Sequence, residues 1–148
     1  MTPQELQTKL HTQIPLTQLM QLCIDHINDK ELITTAPLDV NINDKGTAFG
    51  GSLSTQTIIS AWSVCFLLSQ ELNLENSSIV IIKNETKFLH PVTKALSCHT
   101  FFPTKTQIEE LQKKIEKKGS GSIKIHSQII ENEKTCVEFE GTFVIKLH

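Results

Sequence analysis

One stretch constrains this chain more than any other, the run over residues 50–72. Leu53, Thr57, Ala61, Val64, Leu68 and Leu72 recur along it at helical spacing. Ile58, Ile59, Trp62, Cys65 and Phe66 widen that stripe until most of the circumference is apolar. A helix of this kind has to be enclosed by other structure. The enclosing material follows, because residues 79–89, 95–102, 122–130 and 135–147 read as strands. In the last of these, Val137, Phe139, Phe143, Ile145 and Leu147 share one face, and Glu138, Glu140 and Lys146 the other. Such alternation belongs to an antiparallel sheet covered on one side.

The segments around this unit are shorter. Thr2, Pro3 and Glu5 form a helix start, with a cap, a proline at the first position and an acid at the third. That helix runs to about Thr12 and makes residues 1–13 an N-terminal helical extension of a single domain spanning 1–148. Pro15 begins a new turn. Residues 20–27 and 31–36 read as a strand hairpin closed by Asn28-Asp29-Lys30. Residues 38–45 are an irregular, Asn/Asp-rich crossing. Ile108, Leu111 and Ile115 ride on an amphipathic helix that ends at Gly119, and its lysines (Lys113, Lys114, Lys117, Lys118) read as a solvated face. The predicted fold class is α+β, a strongly curved antiparallel sheet wrapped around one long central helix.

Charge and cysteine usage narrow the function. The 148 residues carry a formal charge of −2, and the six histidines are scattered, which gives no footprint for a nucleic-acid partner. Cys23, Cys65, Cys98 and Cys136 form no C-x-x-C pair and no zinc spacing, so no metal is expected and each is read as a small buried hydrophobe. Residues 1–22 lack the continuous apolar core of a secretory signal. The run over residues 58–68 is too short to cross a bilayer. A cytoplasmic, reducing location without a membrane partner is the expectation.

Asn43-Asp44-Lys45-Gly46-Thr47-Ala48-Phe49-Gly50-Gly51, opening the long helix, resembles the hotdog-fold thioesterases. With Ala36-Pro37-Leu38 before it, Ser52-Leu53 after it, Ile14-Pro15-Leu16 upstream and Phe88-Leu89-His90-Pro91-Val92 downstream, the chain is similar to the YiiD C-terminal domain-like thioesterase family. The likeness runs from about Ile14 to Lys146. It implies a hotdog homodimer or dimer of dimers, with sites at the subunit interface. It also implies an acyl-CoA or acyl-carrier-protein thioester as the small-molecule substrate, and no bound cofactor. Some relatives carry this domain behind an acetyltransferase domain, and a chain of this length is expected to be the freestanding form.

The glycine cluster suits thioester hydrolysis. Glycines at 50 and 51 let the backbone approach a ligand. A helix beginning there offers unpaired N–H groups at the positive end of its dipole. These can hold the oxyanion formed when water attacks. The Gly51 N–H is the first choice and Gly50 the second; a close packing of helix on strand would also explain both. The resemblance implies an acid at the place of Asn43 in one hotdog branch and of Ile58 in another, and this chain has neither. Asn43 can orient water but cannot take a proton. Asp44 is the candidate general base, against the plainer reading of an Asx turn. Phe49, Ser52, Ser54, Thr55, Gln56 and His90 are candidate substrate contacts, though hydroxyls at a helix start are often local caps. Phe49 sits where a dehydratase-like histidine would be expected, which argues against that sister chemistry. A non-catalytic acyl-CoA-binding hotdog module is the alternative.

Overall fold

A computed structural model spans Met1–His148 and contains four helices and six strands. Helix α1 (Pro3–Gln13) starts with the expected capping box, in which Thr2 and Glu5 satisfy each other's backbone N–H groups. Its Leu6 and Leu10 are fully buried, so the N-terminal helix is part of the core. Helix α2 (Pro15–Leu19) is short and begins at a proline. Strands β1 (Cys23–Ile27) and β2 (Glu31–Ala36) form the expected hairpin, with the Asn28 side chain accepting from the N–H groups of Lys30 and Glu31 in the turn.

Helix α3 (Gly50–Glu71) is followed by β3 (Ser77–Phe88), β4 (Leu96–Phe101), α4 (Lys105–Lys118), β5 (Ser120–Glu131) and β6 (Lys134–Leu147). The strands make one antiparallel sheet in the order β1-β2-β4-β5-β6-β3. Helix α3 lies against β2, β3, β4, β5 and β6. Leu53, Ala61, Val64, Cys65 and Leu68 line its buried side. Helix α4 ends at Gly119, whose φ of 77° supplies the left-handed cap. Phe139, Phe143 and Ile145 of β6 fill the core beneath α3. One long helix cradled by a single antiparallel sheet is the hotdog arrangement.

Several expectations need correction. Residues 20–22 are not strand: they form the turn after α2, with Gln21 at a φ of 57°. Cys23 is exposed, because it starts an edge strand, whereas Cys65, Cys98 and Cys136 are buried. Leu147 leaves the covered face at the end of β6 and is partly exposed. The central helix is enclosed on one side only. Ile58, Ile59, Trp62 and Phe66 remain half-buried, while Gln56, Ser60 and Ser63 point into the interior. By length and composition α3 could cross a membrane, yet half of its apolar window is buried inside the protein. It is the core helix of the sheet.

Candidate functional site

The loop before α3 folds into a small hairpin. Ile42 bridges Ala48, the Asn43 N–H donates to Thr47 O, and the Phe49 N–H donates to Asn41 O. Asn43 holds the turn together. Its Oδ1 accepts from the N–H groups of Lys45 and Thr47, and its Nδ2 donates to Thr47 Oγ1 at 2.8 Å. This amide is committed to the loop. Asp44 sits at the loop tip, 83% exposed, with Lys45 Nζ at 3.1 Å from its Oδ1. The hairpin is fastened to the loop between β3 and β4 through the Ala48 N–H, which donates to Val92 O.

Phe49 is extended and caps α3 with no side-chain hydrogen bond to the helix. The first intrahelical donor is the Leu53 N–H, bonded to Phe49 O. The N–H groups of Gly50, Gly51 and Ser52 are therefore left without partners in the chain, at the positive end of a helix of 22 residues. Gly51 has a local reason to be glycine: a Cβ there would lie 2.2 Å from the Phe49 ring. The ring of Phe88 packs near Gly50 on the other side.

The helix start divides its neighbours by face. Gly51, Ser52 and Thr55 line a cleft of about 310 Å³ together with Leu16, Leu19, Met20, Val40, Asn41 and Phe49. The Thr55 hydroxyl donates to Gly51 O, so it is occupied by its own helix. Ser54 lies off the cleft. Gln56 points the other way and is fully buried, its Nε2 donating to Thr34 O, Thr34 Oγ1 and Leu96 O. His90 follows Phe88 at the exit of β3, where its N–H donates to Cys136 O. It too lies off the cleft lining, as do Asn43 and Asp44.

Behind the helix start runs a buried polar tract that sequence reasoning missed. Thr34 Oγ1 and Ser60 Oγ are 2.8 Å apart, and Thr100 Oγ1 and Ser127 Oγ 2.7 Å apart. Cys98 lies among these hydroxyls, and burial pushes its thiol up to about 11 despite them. Gln56 Oε1 has no partner. Alternation could have revealed Thr34, Thr100 and Ser127, since each falls at an inward position of its strand. A second cluster fastens the loop after His90. Glu131 accepts from the N–H and hydroxyl of Thr93 and the N–H of Lys94. Desolvation raises the Glu131 carboxyl, but those bonds and the Lys94 charge together outweigh it and hold its pKa below the ordinary value. The cleft residues Leu16, Leu19 and Val40 were also missed; the only signal was an apolar pair three apart after Pro15.

Residues 3–147 match the family model described as "Putative thioesterase (yiiD_Cterm)". A protein of unknown function from Chlorobaculum tepidum TLS is similar in structure, with a TM-score of 0.92 and 30% identity over 99% of this chain and 94% of that one. A structure described as the putative thioesterase from Shewanella oneidensis gives 0.86 and 27%, over 99% of this chain and 97% of the other. A thioesterase from Haemophilus influenzae shares the fold, with a TM-score of 0.71 at 16% identity, over 99% of this chain and 92% of that one.

Proposed function

The chain belongs to this hotdog thioesterase family, and from that membership we propose that it hydrolyses acyl thioesters of coenzyme A or of an acyl carrier protein. The observation that carries the proposal is the set of three unpartnered N–H groups at Gly50, Gly51 and Ser52, opening beside an apolar cleft. A thioester carbonyl set against Gly51 gains a donor aimed at the oxygen that becomes negative. Donors fixed in this way cost no reorganisation when water attacks. The general base in this reading is Asp44, the one carboxylate on the hairpin that leads into the helix. It takes the proton of the attacking water as the C–O bond forms. The tetrahedral intermediate then breaks its C–S bond to leave the carboxylic acid, and the departing thiolate takes that proton to become the thiol.

Two copies form the working unit in this proposal. Strand β3 is a sheet edge of 12 residues, bonded to β6 on one side only, with Val80 and Ile82 exposed. An uncovered apolar edge is a template for pairing with another chain. Pairing there would also cover part of the half-buried α3 face around Ile58 and Trp62. No metal or organic cofactor is invoked. With four free cysteines, three of them buried, the cytoplasm is the location this reading favours.

A second reading has its own support. No charged side chain lines the cleft, and the Asn43 amide is spent within its loop, as expected of a module that binds acyl-CoA without turning it over. Thiol release from acyl-CoAs between acetyl and palmitoyl, and from carrier-protein thioesters, separates the two. Turnover that falls by about 10²-fold or more in Asp44→Ala, with the fold retained, supports the hydrolase and its base. Turnover that survives in Asp44→Ala moves the base elsewhere. Binding without turnover on every thioester sinks the hydrolase and leaves the binding module.

A further inference from the structure

Leu16, Leu19, Val40 and Phe49 are all exposed large apolar side chains, and all four face one cleft. Leu19 alone is 73% exposed. Gathered apolar exposure of this kind marks a binding surface more often than chance scatter does. The walls come from different parts of the chain. Helix α2 forms one, the segment before the hairpin a second, and the first turns of α3 the third. They are tied together at Asn41, which is buried and whose Nδ2 donates to Met20 O at 3.0 Å and to Pro37 O at 2.7 Å.

Away from Ser52 at the helix start, the polar side chains of the lining are already used. The Asn41 amide N–H groups are spent on those two carbonyls, and the Thr55 hydroxyl on Gly51 O. No lining side chain carries a charge. Away from the helix start the cleft therefore offers no charge and no free side-chain donor to a nucleotide or a carboxylate, and a great deal to a hydrocarbon. Its polar boundary is the helix start, where the N–H groups of Gly51 and Ser52 and the Ser52 hydroxyl are unpartnered.

We propose that this cleft receives the acyl chain of the thioester and selects chains of medium length, about eight to ten carbons. The inference rests on the hydrolase reading above, since it takes the carbonyl to sit at Gly51. From that point one substituent of the carbonyl enters the cleft and the other, the thiol portion, leaves toward solvent. At roughly 30 Å³ for a group the size of a water molecule, a space of about 310 Å³ holds about ten such groups. The far carbons of a palmitoyl chain lie beyond it, in solvent, and gain no further burial there. The α1–α2 segment then sets the substrate preference, although the chemistry belongs to α3.

The test is kcat/KM for straight-chain acyl-CoAs from two to sixteen carbons, in the wild type and in Leu19→Trp. That substitution fills the cleft from a solvent-facing position, and melting curves check that the fold is kept. In the wild type kcat/KM rises about fourfold per methylene and levels at eight to ten carbons. In Leu19→Trp the optimum moves at least two carbons shorter, and the octanoyl-to-butyryl ratio falls at least tenfold. A profile that Leu19→Trp leaves unmoved, or a steady rise to palmitoyl, overturns the assignment. Loss of self-association in Leu19→Trp, read by sedimentation, would mean that a second copy covers the cleft and would also overturn it. Absence of turnover on every thioester is a failure of the hydrolase reading instead. The cleft is then judged by titrating a non-hydrolysable octanoyl-CoA thioether. At least tenfold weaker binding in Leu19→Trp supports the cleft, and equal binding overturns it.

Discussion

At the scale of single residues, the helix start can be dissected because its backbone geometry tolerates a proline. Gly50 is the first residue of α3, and Phe49 before it is extended, with φ −67° and ψ 132°. Both positions suit proline at 50, which removes one unpartnered N–H and no intrahelical bond. A Cβ at Gly50 meets only the Phe88 ring, at an ordinary 3.9 Å. Gly50→Pro should therefore melt within about 1 kcal/mol of the wild type. If its N–H supports the oxyanion beside that of Gly51, thioester turnover should fall by about 10²-fold. Steady-state kinetics beside a denaturant titration check both halves, and full activity in a folded variant would place the oxyanion on Gly51 and Ser52 alone. Gln56 shows the opposite limit of residue-level reading. Its place on the second turn suggested a substrate contact, but it points inward and bonds the strand ends at Thr34 and Leu96.

At the scale of elements, the strand and helix order was legible because alternation and helical spacing report burial directly. The capping box at Thr2, the hairpin at Asn28 and the end of α4 at Gly119 each rest on a local rule and were readable. The passage through α2 was not. Leu16, Leu19, Met20 and Leu22 carry too few residues to separate a short helix and turn from the approach to a strand, and Gln21 adopts a positive φ that its type does not announce. The clasp between Glu131 and the loop at Thr93 and Lys94 was equally hidden, since its partners lie 38 and 37 residues apart. It carries a pH signature. The folded carboxyl is depressed, so its contribution is present above the unfolded value, about 4.3, and is lost as pH falls through the lower folded value. Wild type should out-melt Glu131→Gln by a constant margin from pH 7 to about 5, and the margin should close in more acid solution. A margin that persists unchanged to pH 2 would refute the clasp as a carboxylate effect.

At the scale of the whole molecule, the burial pattern alone does not make the chain self-sufficient. The α3 face carrying Ile58, Ile59, Trp62 and Phe66 is only half covered, and β3 has a free edge beside it. The apolar circumference read from the sequence was correct about demand, but one chain meets it on one side. Lysines at both Val80 and Ile82 should convert a dimer to monomer in analytical ultracentrifugation, because two like charges would face their copies across the edge. An unchanged sedimentation coefficient would place the association on another surface. One further property follows from what lies at that edge. The chain has a single tryptophan and no tyrosine. Trp62 stacks on Phe66 at 5.5 Å between ring centroids, and its Nε1 donates to Ile79 O on β3. The protein's intrinsic fluorescence therefore issues from one ring at the seam between core helix and edge strand, so an emission spectrum taken during dilution or unfolding is a local reading of that seam.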